Sequence, residues 1–183
     1  MTKVVGVSGS MAEESGTRIA VERALSSADS AGAETALIDV RETRLPVFDP
    51  DSRDAGDAEE MRRKLREADA VILGTPMYHG SYSSALKTVL DYSGFDEFED
   101  TTVALIAVSG GRFPVTALEH LRSVCRALNA WVLPKQAAVP NSGDAFRDGE
   151  FADESIGERV DEIGTQVVRY AGVSEYPKLD SVS

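Results

Sequence analysis

Small hydroxylated residues and glycines crowd two short stretches of this chain, SGSMAEESGTR at residues 8–18 and SGGRFP at 109–114. Between them, TPMYHGSYSSALKTVLDY at residues 75–92 adds a proline, a methionine, tyrosines, a histidine and a glycine within its first positions. The first stretch suits a phosphate. Ser8, Ser10, Ser15 and Thr17 offer hydroxyls, glycine lets the backbone come close, and a helix starting here presents unpaired N–H groups with a partial positive charge. The competing reading is a plain helix cap, in which Ser15 or Thr17 satisfies the first turn. Glu13 and Glu14 oppose an anion, but a carboxylate roughly 8 Å away in solvent costs on the order of 0.5 kcal/mol. Each hydrogen bond to a charged phosphate returns roughly 1.5–3 kcal/mol, so both glutamates are expected to point outward. The stretch matches neither GxxxxGK[ST] nor GxGxxG, which speaks against nucleoside triphosphates and dinucleotide-type folds.

The second stretch suits a planar aromatic ligand, which needs apolar or aromatic side chains on one face and backbone N–H groups at its polar edge. Pro76 fixes the chain direction, Gly80 allows a turn, and Ser81 to Ser84 offer N-caps for a helix continuing through Ala85 to Tyr92. An ordinary strand-to-helix turn, with Tyr78 covering the core edge, is the alternative. His79 reads as a surface loop residue, a ligand contact or an acid–base group. His120 is the only other histidine, so no metal set is recognisable. In the third stretch the paired glycines leave room for a flat ring against the main chain, and Arg112 either meets an anion or is simply solvated.

Apolar runs of strand length must position these stretches: Val4 to Val7, Ala36 to Val40, Ala70 to Leu73, Val103 to Val108, and a weaker one near Trp131 to Leu133. Between them apolar residues follow helical spacing, as in Val21, Ala24, Leu25 and Ala28, or Leu118, Leu121, Cys125 and Leu128. Continuous apolar strands alternating with amphipathic helices predict an α/β, three-layer, doubly wound five-stranded parallel sheet of the flavodoxin type. Ligands of such sheets bind beyond the carboxyl ends of the strands, where all three stretches fall. Arg41 to Gly56 and Pro140 to Asp153 read as irregular. Residues 1–172 are expected to form one domain and 173–183 a short mobile tail.

The chain has 183 residues, 42% hydrophobic and 27% charged, with a formal net charge of −12 that disfavours nucleic acid and anionic membrane surfaces as partners. Neither a signal peptide nor a membrane-spanning segment is visible, so a cytoplasmic location is expected. Its dispersed acidic residues, with arginine outnumbering lysine, resemble a halophile's solvated surface. A single cysteine, Cys125, leaves no intramolecular disulfide and reads as core.

With all three stretches in place, residues 3–172 resemble the NADPH-dependent FMN reductase family, most specifically through SGSMAEESGT, TPMYHGSYSSALKTVLDY and VSGG. The resemblance implies FMN as cofactor and NADPH or NADH as reductant. It assigns the FMN phosphate to Ser8, Ser10, Ser15 and Thr17, with Arg18 as a weaker candidate. It assigns the flavin ring to Pro76, Met77, Tyr78, His79, Gly80 and Ser81 on one side, and to Ser109, Gly110 and Gly111 on the other. The chain departs from some members at Ala12, where they carry arginine, and from many at Met77 and His79, where they carry glutamate or asparagine. The expected chemistry is hydride transfer from NAD(P)H to flavin, with no obligatory catalytic acid or base and no metal. Free flavin is the leading acceptor; quinone, azo-dye or metal-ion reduction, or a flavodoxin-like electron carrier, are the alternatives. A homodimer or homotetramer paired next to the flavin is implied, with LPVFDPD at residues 45–51 as a candidate interface edge or substrate mouth.

Overall fold

The computed structural model describes residues 1–172; the expected tail at 173–183 lies outside the described residues. In chain order the elements are β1 (Lys3–Ser8), α1 (Gly16–Ser30), β2 (Glu34–Asp39), α2 (Ala58–Arg66), β3 (Ala70–Tyr78), β4 (Ser81–Tyr82), α3 (Ser84–Tyr92) and α4 (Phe95–Phe98). Then follow β5 (Thr102–Val108), α5 (Val115–Ala127), β6 (Trp131–Val132), β7 (Ala137–Val139), α6 (Ser142–Ala145), β8 (Phe146–Arg147), β9 (Glu150–Phe151) and α7 (Glu154–Arg169).

The main sheet runs in the order β2-β1-β3-β5-β6, with every one of these pairings parallel. The alternation of side chains along each strand divides the core in two. Val4, Ile72 and Ile106 join α1 and α7 on one face, through Ala20, Val21, Val160 and Ile163. Val5, Val7, Leu73 and Leu105 join α2, α3 and α5 on the other, through Met61, Leu65, Leu86 and Leu118. This is the three-layer, doubly wound arrangement expected from the apolar runs.

Three local expectations are corrected, and one helix is added. The fifth strand comes in two pieces, because after β6 the chain leaves the sheet at Pro134 and returns as β7, pairing first with the beginning and then with the end of β5. The third strand continues past Leu73 to Tyr78. Helix α2 went unread because its stripe of Ala58, Met61 and Leu65 is short, and the other six residues are charged. The supposedly irregular stretch 140–153 holds α6 and a β8–β9 hairpin, turned at Asp148 and Gly149 with φ of 52° and 82°. An Asp-Gly pair is the expected residue choice for such a turn.

Helices α1 and α7 cross closely enough that a Cβ on Gly164 would lie 2.1 Å from the Ala24 carbonyl oxygen. The crossing is pinned by Arg23, which donates to Glu154 and to both Asp161 oxygens, while Ser27 Oγ donates to Asp161 Oδ1 at 2.8 Å. Hydrogen bonding from Arg23, then from Ser27, holds the Asp161 carboxyl below the usual carboxylate range. A depressed carboxylate stabilises the fold above its ordinary value and loses that contribution as pH falls through its folded value. Asp161→Asn should therefore cost about 1 kcal/mol at neutral pH, after discounting for partial exposure. The deficit should shrink towards zero below the carboxylate range, as read by denaturant unfolding at several pH values.

Candidate functional site

Strand order reverses between β1 and β3: β2 lies to one side of β1, and β3 and β5 to the other. The loops leaving β1 and β3 therefore diverge over opposite faces of the sheet and open a crevice between them. They are cross-tied at its floor. Gly9 N–H donates to the Gly74 carbonyl at 2.9 Å, and Ser83 Oγ donates to the Gly9 carbonyl at 2.6 Å. Ser83 Oγ also accepts the Leu86 N–H at 3.1 Å, capping α3, while its own N–H donates to Thr75 Oγ1 at 2.9 Å. Ser83 thus caps a helix and holds two loops together. Ser83 is one of the expected N-cap candidates Ser81 to Ser84, but neither it nor Thr75 was expected to tie the loops; the available signal was a hydroxyl late in an apolar strand and another directly before a helix.

In the first loop, Ser15 is the N-cap of α1, its hydroxyl accepting the Arg18 N–H at 3.1 Å. Ser10 Oγ accepts the Ala12 N–H at 3.2 Å. Ser8, Ser10, Ser15 and Thr17 are all buried at this end of the sheet, and Ser8 Oγ has no hydrogen-bond partner among the described residues. The backbone N–H groups of Met11, Glu13 and Glu14, and those of Gly16 and Thr17 in the first turn of α1, likewise have no acceptor among the described residues. Glu13 and Glu14 are exposed, as expected. Arg18 turns away from the loop: its guanidinium lies 3.5 Å from Asp39 Oδ2 and 3.8 Å from Glu22 Oε1.

The second loop is shorter than the sequence suggested, because Pro76, Met77 and Tyr78 are the last residues of β3. His79 and Gly80, with φ of 51° and 84°, form the two-residue turn of a hairpin in which Tyr78 pairs with Ser81 and Met77 with Tyr82. Positive φ at both central residues is the type I′ geometry that matches strand twist; Gly80 adopts it freely, and histidine is among the few side chains that tolerate it. The hairpin leans on α5: Ser81 Oγ lies 2.9 Å from His120 Nδ1, and Thr116 Oγ1 donates to Met77 Sδ at 3.5 Å. Tyr78 and His79 are exposed.

The third loop is held from below, with Ser109 Oγ donating to the Gly111 carbonyl at 2.7 Å and Asn141 and Ser142 donating to Gly111 and Ser109 carbonyls. Above it there is space: a Cβ on Gly110 or Gly111 would meet nothing within 4 Å. Arg112 is exposed. Phe113, 75% exposed, was not among the expected residues; Met11 on the first loop and Tyr78 at the end of β3 are exposed as well.

Leu45 and Phe48 of the 45–51 segment pack into the core, Phe48 edge-on to Tyr92 with ring centroids 5.1 Å apart, leaving Val47 as the exposed apolar residue there. Cys125 is buried, and burial pushes its thiol up to about 12, so it stays protonated and unreactive at neutral pH. A hollow of about 740 Å³, lined by Trp131, Leu133, Pro134 and Tyr170 among others, lies beside the starts of β5 and β6 rather than at the carboxyl ends of the strands. Among the described residues there is no helix long and apolar enough to cross a membrane.

A sequence profile of the NADPH-dependent FMN reductase family matches residues 2–144. FMN-dependent NADPH-azoreductases are 36% identical over 122 residues in Staphylococcus saprophyticus and 37% identical over 123 residues in Staphylococcus aureus. These alignments cover 65% and 66% of this chain, and in each case 65% of the relative's own length. Among solved structures, an apo NADH:FMN oxidoreductase superimposes with a TM-score of 0.76 at 21% identity, covering 94% of this chain and 91% of that one. The NAD(P)H:acceptor oxidoreductase FerB of Paracoccus denitrificans gives 0.76 at 19% identity over 93% and 97%. An archaeal flavodoxin gives 0.62 at 11% identity over 92% and 97%. At these identities the structural likenesses establish the fold.

Proposed function

The chain belongs to the NADPH-dependent FMN reductase family, and from that premise we propose that it is an FMN-dependent oxidoreductase that takes hydride from NADPH or NADH and passes electrons to free flavin or another small acceptor. The observation that carries this reading is the crevice at the strand-order reversal. On one side stand a buried unpartnered Ser8 hydroxyl and a run of unpaired loop N–H groups at a helix start. One strand further along the sheet, the loop after β5 adds two glycines at which a Cβ would meet nothing within 4 Å. A phosphate answers the first need and a flat ring the second, so the residues fit FMN.

In this reading the first loop and the start of α1 hold the phosphate through N–H groups and the Ser8, Ser10 and Ser15 hydroxyls. Pro76 to Ser81 and Ser109 to Gly111 flank the ring. Bound FMN would supply the hydride acceptor, chemistry that no side chain offers. The protein's part is to fix the ring's position, to present backbone donors at its polar edge, and to leave one face open for the nicotinamide. The exposed His79 and the Ser81-paired His120 are not required as proton donors, so residues here act by binding and orientation.

The azoreductase relatives favour an azo compound as a second class of acceptor, since it would react at the same open ring face. The exposed residues Met11 and Phe113 on the loops and Tyr78 at the end of β3 support a homodimer or homotetramer paired next to the crevice. The acidic charge supports a salt-rich cytoplasm as its setting. The test is NADPH consumption under air by purified protein with and without added FMN. Sustained, FMN-dependent consumption is expected; a flavodoxin-like carrier alone would give none, and that outcome would overturn the enzyme reading.

A further inference from the structure

We propose that Arg41, on the loop after β2, is the counter-charge for the flavin's phosphate and the residue that makes this site prefer a flavin carrying a phosphate monoester over one without. The proposal rests on the reading of the crevice as a flavin site. The need for such a group follows from the first loop itself. Between Ser8 and Ser15 it contains no cation and two glutamates, and Arg18, the nearest cation along the chain, is directed to Asp39 and Glu22. Unpaired N–H groups can orient an anion, but a phosphate dianion beside Glu13 and Glu14 lacks a balancing charge from within its own loop.

Arg41 is built into place from the neighbouring strand. Val40 N–H donates to the Ser8 carbonyl at 3.1 Å, fixing the start of this loop against the end of β1. Asp39 Oδ1 accepts the Arg41 N–H at 3.0 Å while Asp39 Oδ2 faces Arg18, so one carboxylate sets the backbone of one arginine and occupies the side chain of the other. The Arg41 guanidinium then reaches across, with Nη1 donating to the Met11 carbonyl at 2.6 Å. The peptide between Met11 and Ala12 is thereby held from both sides, its carbonyl by Arg41 and its N–H by Ser10 Oγ.

That contact uses one of the guanidinium's five N–H donors. Nη2 faces Glu13 Oε2 at 3.9 Å, too far for a hydrogen bond, and the glutamate side chain is 89% exposed. Arg41 therefore has donors to give and only a solvated carboxylate competing for them. A phosphate seated on the loop would displace Glu13 as its partner, and the guanidinium fork suits phosphate oxygens.

The test compares the dissociation constants of FMN and riboflavin, from quenching of flavin fluorescence, in the wild-type protein, Arg41→Gln and Glu13→Gln. Wild-type protein should prefer FMN. Arg41→Gln should weaken FMN about tenfold, the low end for a charged hydrogen bond that is partly solvent-exposed, and leave riboflavin unchanged. Glu13→Gln should tighten FMN by about twofold, by removing a competing charge at surface dielectric. Unchanged FMN affinity in Arg41→Gln would overturn the proposal. So would an equal loss for FMN and riboflavin, because Arg41 would then only shape the loop. Wild-type protein that binds neither flavin would overturn the site reading, and the role of Arg41 with it.

Discussion

Gly9→Ala should lower the thermal unfolding midpoint by several degrees and weaken FMN binding at least tenfold. A Cβ at this position would sit 2.6 Å from Leu86 Cβ and 3.0 Å from the Gly74 carbonyl oxygen, and 3.3 Å from Ser83 Oγ. Neither of the first two atoms can swing aside: one is anchored to the α3 backbone and the other is main chain of β3. Relief requires the first loop to lift from the second, which breaks the Gly9 N–H bond to Gly74 and the Ser83 hydroxyl bond to Gly9. Overpacking of this kind costs about 1–3 kcal/mol. In a domain of this size each kcal/mol moves the midpoint by roughly 2–4 °C. Flavin affinity falls as well, because the same movement separates the phosphate side of the crevice from the ring side. Circular-dichroism melting and FMN titration on one preparation read both effects. A variant with a wild-type midpoint and wild-type affinity would show that the two loops are not tied as described.

Gly110→Val should do the opposite: leave the midpoint within about 2 °C of wild type and still weaken FMN roughly ten- to hundredfold. Apart from its own chain neighbours, no residue comes within 4 Å of a Cβ built there, so the added side chain starts in open space. Exposed substitutions without contacts change stability by about 0.5 kcal/mol or less. The space it fills is the space assigned to the ring, and forcing a ligand against an added side chain costs about 1–3 kcal/mol. Stability unchanged with binding lost would locate the ring over the third loop; binding unchanged would place it elsewhere. The pair of variants separates a glycine needed by the fold from a glycine needed by the ligand.

The doubly wound sheet was legible because three of its strands, β1, β3 and β5, are continuous apolar runs buried along most of their length, and the sequence of alternation dictates the topology. Helix α2 was not, since Ala58, Met61 and Leu65 are diluted among residues that pair with one another, such as Glu60 with Lys64 and Arg63 with Glu67. The break of the last strand at Pro134 was hidden because Trp131–Val132 and Ala137–Val139 are each too short to read as strands alone. Within the site, the types of residue were legible and their partners were not. Ser15 is an N-cap as well as a loop hydroxyl, and Arg18 is drawn to Asp39 by a contact that spans two elements. Arg41 could not be found from the first loop at all, because it arrives from β2 only once the strands pair in parallel.

The central claim, that the three loops at the carboxyl ends of β1, β3 and β5 form one flavin site, is tested most directly by amide hydrogen exchange with and without FMN. Residues 8–18, 75–83 and 109–114 should gain protection together as FMN is added. Protection confined to the hollow at Trp131, Leu133 and Tyr170, or no protection in any of the three loops at saturating FMN, would contradict it.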